Sequence, residues 1–358
     1  MLVTPSHAHV SEVRSLTGLR GVAALWVVLF HYFTPVFLTS PLLCILGHGY
    51  LAVDLFFVLS GFVLCLNYSN FFVNGVTGKQ YWNFLSRRIA RIYPLYFVTL
   101  VIATILVVRH LLPFWGMHFT PALLANVFLV QNLGFWQSVD VPAWSISVEW
   151  ISYLIFPVLM FCIFARKAAV RWGLLLLSLV TIVGLYTWNL NHGGWPKAFD
   201  ITAGPASIAR GLTEFTLGVL SYRALTTPFG QRISRHPWAA NGITVLIAIL
   251  LAFRGSDIFL VFLYPFFILS LLKGSTLVSR ILGSRVLEYL GLISFSVYLV
   301  HTLLTPFLGW IDAWMRSHGR SHAHTFAVAI TLPVLLLLSS LTYYSIEVPA
   351  RRYLRNVF

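Results

Sequence analysis

Acidic residues are scarce in this chain: Asp and Glu together number ten in 358 residues, and all charged residues make up 9%. Soluble domains carry about 25% charged residues, so this shortage excludes an ordinary water-soluble globule. Cysteine is also sparse. Cys44, Cys65 and Cys162 lie within or beside apolar runs, and an odd count without paired spacing argues against a disulfide framework or a metal site. The first dozen residues lack a basic start and a small-residue cleavage site, so the first apolar segment is expected to stay in place as a signal anchor. What the chain has in abundance is apolar surface: 58% hydrophobic residues and a mean hydropathy of +0.84.

These properties describe an all-α polytopic membrane protein. Apolar runs long enough to cross a bilayer are expected at about 15–37, 46–68, 87–112, 144–165, 168–189, 205–224, 238–254, 256–273, 286–310 and 324–347, ten in all. The shorter piece near 121–135 is read as re-entrant or interfacial. One transmembrane domain, 14–350, is flanked by tails at 1–13 and 351–358. The net charge of +14 does not point to nucleic acid, because the basic residues sit between apolar segments. With the N-terminus cytoplasmic, 18 of the 24 Lys and Arg fall inside, a bias that also places the C-terminus inside. The partner implied is the lipid bilayer, with the plasma (inner) membrane as the expected location.

The first helix, RSLTGLRGVAALWVVLFHYFTPVF, carries Arg20 and His31 eleven residues apart. Three turns plus about 20° put both on one face, about 16 Å apart along the axis. Ionisable groups in a membrane helix normally face a polar interior. The same half of the membrane as His31 is expected to hold Asp54, Glu149, the Arg210/Glu214 pair and His301, the last on a polar stripe with Ser294, Tyr298 and Thr305. These groups are expected around a central polar channel. At the other end, Arg20 shares its depth with Arg87, Arg88 and Arg91 of SRRIARIYPLYF. Clustered guanidinium groups suit a phosphorylated ligand. An imidazole with a pKa near 6.5 suits proton transfer, and Asp54 or Glu149 could orient it.

The Arg20-x10-His31 helix, Arg88-x-x-Arg91, Ser60-Gly61-Phe62 after VDLFFVL, Trp144-Ser145 with Glu149, and SVYLVH ending at His301 together resemble the acyltransferase-3 family of membrane O-acyltransferases. That resemblance implies transfer of an acyl group, acetyl by default, from cytoplasmic acyl-CoA to a hydroxyl, often on a sugar of an exported glycan. It implies His31 as the catalytic histidine, general base or acyl relay, and Arg20, Arg88 and Arg91 as the CoA-phosphate ligands. Glu149 and Asp54 are further catalytic candidates. Trp144, Ser145, Arg210, Tyr298 and His301 are candidates for contact with substrate. Some family members carry a fused extracytoplasmic hydrolase-like domain; this chain would complete the transfer itself or hand the acyl group to a separate partner. The competing reading from the residues is a proton-coupled transporter or flippase, with His31, Asp54, Glu149 and His301 as the relay.

Overall fold

A computed structural model describes residues 13–37, 44–72, 75–116, 118–134, 136–164, 167–192, 199–273 and 276–357, so the expected N-terminal tail lies outside the described residues up to position 12. Among the described residues the chain is entirely helical. Its principal helices are α1 (Arg14–Phe37), α2 (Ala52–Phe72), α3 (Gly78–Val108), α4 (Trp144–Phe164), α5 (Ala168–Asn191), α6 (Gly204–Ala224), α7 (Ala239–Leu251), α8 (Asp257–Ser270), α9 (Arg285–Leu292), α10 (Ser294–Val300), α11 (Thr305–Ser317), α12 (Ala323–Thr342) and α13 (Val348–Val357).

Each of the ten expected spans is helical, but among the described residues seven segments are long and apolar enough to cross a membrane. The other three fall short for different reasons. Helices α7 and α8, of 13 and 14 residues, are shorter than the roughly 20 residues a span needs. Helix α6 is long but polar; it is enclosed by α2, α4, α5 and α8 and has little lipid-facing surface to cover. Helix α5 shows the opposite case, with Trp172, Leu176, Leu177, Val180 and Trp188 all exposed, as suits a face turned to lipid.

Helix α2 packs more extensively on α6 than any other helix pair in the fold. The approach is close because two glycines face each other's backbone: a Cβ on Gly61 would strike the Phe215 carbonyl oxygen, and one on Gly218 the Val58 carbonyl oxygen. This accounts for the glycine of Ser60-Gly61-Phe62, since small residues let membrane helices pack backbone to backbone. Helix α1 runs beside α2, α9 and α10.

The expected continuous span at 286–310 is instead broken into α9, α10 and α11, with a 3₁₀ turn at His301–Leu304. Pro306 opens α11 and has no N–H to continue the helical ladder, and the Thr305 hydroxyl donates to the Thr302 carbonyl at 2.7 Å. The expected polar stripe is therefore shared by α10 (Ser294, Tyr298), the 3₁₀ turn (His301) and the start of α11 (Thr305), within the membrane-length segment Ser294–Ser317. The stretch before α4 also differs from a simple loop. Phe119–Val127 is a short helix with Asn126 buried, and Gln131 and Asn132 after it and Trp144 and Ser145 at the start of α4 are buried too.

Candidate active site

Two cavities lie inside the helices, and α1 contributes to both. The first is lined by Arg20, Arg88, Arg91, Ser60, Glu149 and Tyr153 among others. The second is lined by His31, Tyr50, Trp144, Gln137, Asp200 and Thr202 among others. Val53 and Tyr298 line both, so these two side chains form the wall between the chambers. The one-face geometry expected for Arg20 and His31 thus delivers them to adjoining chambers.

In the arginine chamber, Arg88 and Arg91 are partly buried on one face of α3, while Arg87 is exposed. Arg88 donates to the Tyr68 hydroxyl at 3.3 Å and lies over the rings of Tyr68 and Tyr153, at 5.4 and 5.7 Å. Arg91 is 3.4 Å from a Glu347 carboxylate oxygen. Glu149 belongs to this chamber, where one of its oxygens accepts from the Ser60 hydroxyl at 3.0 Å and the Tyr153 hydroxyl at 2.5 Å. Aromatic rings and a hydroxyl hold the Arg88 guanidinium in place, whereas Arg91 is paired with the Glu347 carboxylate.

In the other chamber, His31 is backed by a second imidazole. His301 is fully buried and lines neither cavity; its Nε2 lies 3.1 Å from His31 Nδ1. The hydrogen-bond partners assign the tautomers. His301 Nδ1 is 2.7 Å from the Tyr298 carbonyl, which can only accept, so Nδ1 carries the proton and Nε2 the lone pair. His31 Nδ1 faces the Val27 carbonyl at 3.0 Å as well as that lone pair, so it carries a proton too. The basic nitrogen of neutral His31 is therefore Nε2. The Tyr32 hydroxyl donates to the His301 carbonyl at 2.8 Å, and the Thr302 hydroxyl donates to Asp140 at 2.7 Å, which fixes the turn that carries His301.

At the shared wall, the Tyr298 and Ser145 hydroxyls are 2.8 Å apart, and both also reach the Pro142 carbonyl, at 3.1 and 3.0 Å. Three oxygens share two protons here, so one hydroxyl can turn its proton to a new acceptor while the other keeps the internal bond.

Asp54 and Arg210 occupy neither chamber. Both are fully buried and paired in bidentate fashion, with Arg210 Nε 2.9 Å and Nη2 2.6 Å from the Asp54 oxygens. Arg210 also donates to the Ile201 carbonyl at 3.1 Å, lies 3.8 Å from Glu214, and sits over Trp144 and Phe199. The arrangement ties α2 to α6 behind the histidine chamber. Of the carboxylates expected beside His31, Asp54 thus faces Arg210 and Glu149 faces Ser60 and Tyr153. Sequence reasoning did not find Tyr153, although it stands one turn from Glu149. Nor did it find Glu347, whose side chain is buried against Arg91.

A many-helix membrane bundle with an arginine chamber joined to a histidine chamber has the parts of a membrane acyltransferase. The sequence profile of the acyltransferase-domain family (Acyl_transf_3) matches residues 13–344, and the chain belongs to that family. Acyltransferase MdmB of Streptomyces mycarofaciens is 28% identical over 383 residues, covering 96% of this chain and 93% of that protein. SACOL0978 of Staphylococcus aureus (strain COL), provisionally named an O-acetyltransferase, is 24% identical over 392 residues, covering 95% of this chain and 57% of that protein. Peptidoglycan O-acetyltransferase OatA of Listeria monocytogenes is 23% identical over 391 residues, covering 95% of this chain and 56% of that protein. The chain therefore spans a little over half the length of the staphylococcal and listerial relatives. No solved structure matches it.

Proposed function

We propose that this protein is an acyl-CoA-dependent O-acyltransferase of the plasma membrane that moves an acyl group, acetyl in the simplest case, to a sugar hydroxyl of an exported or surface glycan. The observation that carries the reading is the single wall, Val53 and Tyr298, between a chamber lined by three arginines and a chamber lined by His31. A polyanionic donor suits the first, and an acceptor with hydroxyls and an apolar face suits the second, where Tyr50 and Trp144 stand beside Gln137 and Thr202.

Arg20, Arg88 and Arg91 take the phosphates of CoA, which brings the thioester carbonyl to the wall. An acceptor hydroxyl enters beside His31. Its oxygen attacks the carbonyl carbon as His31 Nε2 takes its proton, and the positive charge on the ring is stabilised by the His301 lone pair and the Val27 carbonyl at Nδ1. The developing oxyanion accepts a proton bond from the Tyr298–Ser145 pair. Collapse breaks the C–S bond, forms the ester, and returns the proton from His31 to the CoA thiolate. In this reading the second imidazole performs the orienting task usually given to a carboxylate.

The direct test supplies purified protein with labelled acetyl-CoA, with and without a sugar acceptor. Label should move to the sugar and cease to move in His31→Ala. Acceptor uptake across a sealed membrane without label transfer would refute the enzyme in favour of a transporter.

A further inference from the structure

Glu347 lies 256 residues from Arg91 in sequence, yet the residue is 2% exposed and its carboxylate stands directly behind the arginine chamber. It sits in the π-helical turn Tyr343–Glu347 between α12 and α13, and such turns recur at functional sites. One oxygen accepts from the Ser296 hydroxyl of α10 at 2.5 Å. The other faces Arg91 of α3 at 3.4 Å and Arg351 of α13 at 3.1 Å. Of those two arginines only Arg91 lines the chamber. Arg351 is held on the far side, donating to the Glu347 backbone carbonyl at 3.1 Å and lying over the Tyr343 ring.

The chamber gathers three guanidinium groups, which repel one another, against the single Glu149 carboxylate that also lines it. Arg88 is restrained by two tyrosine rings, whereas Arg91 has the Phe295 ring and the Glu347 carboxylate. We infer that Glu347 is a positioning residue for the donor: through Arg91 it holds a preorganised phosphate-binding group at the chamber wall, and Ser296 fixes the carboxylate that does so. This rests on the reading of the arginine chamber as the acyl-CoA site.

Glu347→Gln keeps the shape and the Ser296 partner and removes the charge. It should raise the KM for acetyl-CoA about tenfold and leave kcat within about threefold, the pattern of lost uniform binding. With S-acetylpantetheine, which lacks the nucleotide phosphates, Glu347→Gln and the unmodified protein should have equal kcat/KM. In an Arg91→Ala background Glu347→Gln should add nothing. Ser296→Ala, a smaller perturbation, should move KM in the same direction and serves if Glu347→Gln does not accumulate. An equal loss of kcat/KM with both donors would make Glu347 structural only and overturn the inference. If Arg91→Ala weakens acetyl-CoA selectively and Glu347→Gln does not, the inference fails and the chamber assignment stands. If Arg91→Ala also fails to separate the two donors, both fall.

Discussion

Replacing Arg210 by Met would leave Asp54 and Glu214 facing each other in a dry interior, since all three side chains are fully buried. Removing one partner of a buried ion pair costs about 3–5 kcal/mol, because the remaining charge is uncompensated. Asp54→Asn is milder. It keeps one acceptor oxygen for the guanidinium, and Glu214 at 3.8 Å remains as a counter-charge, so the loss should be near that of one charged hydrogen bond, about 1.5–3 kcal/mol. Combining the two changes removes one of the two carboxylate charges that Arg210→Met leaves unpaired, that of Asp54, while Glu214 stays buried. The double variant should therefore be less destabilised than the sum of the singles, with a coupling of about 1–3 kcal/mol. Thermal unfolding in detergent micelles, followed by tryptophan fluorescence, would give the order: Arg210→Met least stable, the double variant above it, Asp54→Asn above both. Acetyl transfer per folded molecule in Asp54→Asn should stay within about threefold of the unmodified protein, because Asp54 touches neither chamber. An Arg210→Met protein as stable as the original, or an Asp54→Asn protein that folds normally but is inactive, would refute the assignment of this pair to scaffolding.

Three further outcomes follow from the site. His301→Ala removes one of the two acceptors of the His31 Nδ1 proton, leaving the Val27 carbonyl, and should lower kcat by about 10²-fold, while His301→Gln, which can still present an oxygen, should retain more activity; equal losses in a steady-state assay would argue against the tautomer assignment. Val53→Ala should open the wall to propionyl- and butyryl-CoA, and Val53→Phe should slow transfer from acetyl-CoA as well; an unchanged ratio of kcat/KM across the donor series would count against the wall as the acyl passage. Asp140, in the connection leading into α4 and outside the spans, has its carboxyl pushed up to about 7 by burial. Its unfolded pKa is about 3.9, so the folded state holds the extra proton between those values; the resulting stability is full below about pH 4 and is lost as pH rises through about 7. Asp140→Asn should flatten that part of a melting-temperature profile, and an unaltered profile would show that another group governs it.

The helical membrane class was legible because apolar runs and basic connections are local properties. So was the common face of Arg20 and His31, which helix periodicity alone dictates, and so was the pairing of Arg88 with Arg91 on one side of α3. The partners of these groups were not legible. His31 meets His301 across 270 residues, Arg210 meets Asp54 across 156, and Arg91 meets Glu347 across 256. Such contacts depend on which helices pack together and how closely, for example on Gly61 and Gly218. Glu149 was expected at the level of His31 because α4 was taken to begin at the membrane surface. The helix begins at Trp144 as expected, but Glu149 lines the arginine chamber, where Ser60 and Tyr153 are its partners. The expected span at 286–310 is interrupted at Ile293, and the membrane-length segment runs from Ser294 to Ser317 instead.

The most direct test of the two-chamber account uses sealed proteoliposomes with the protein in one orientation, established by protease access to the C-terminal arginines. Labelled acetyl-CoA is supplied on one side and a membrane-impermeant sugar acceptor on the other. Label should reach the sugar only when acetyl-CoA is on the face served by Arg20, Arg88 and Arg91 and the sugar on the face served by His31. Transfer that requires both substrates on the same face would contradict the account.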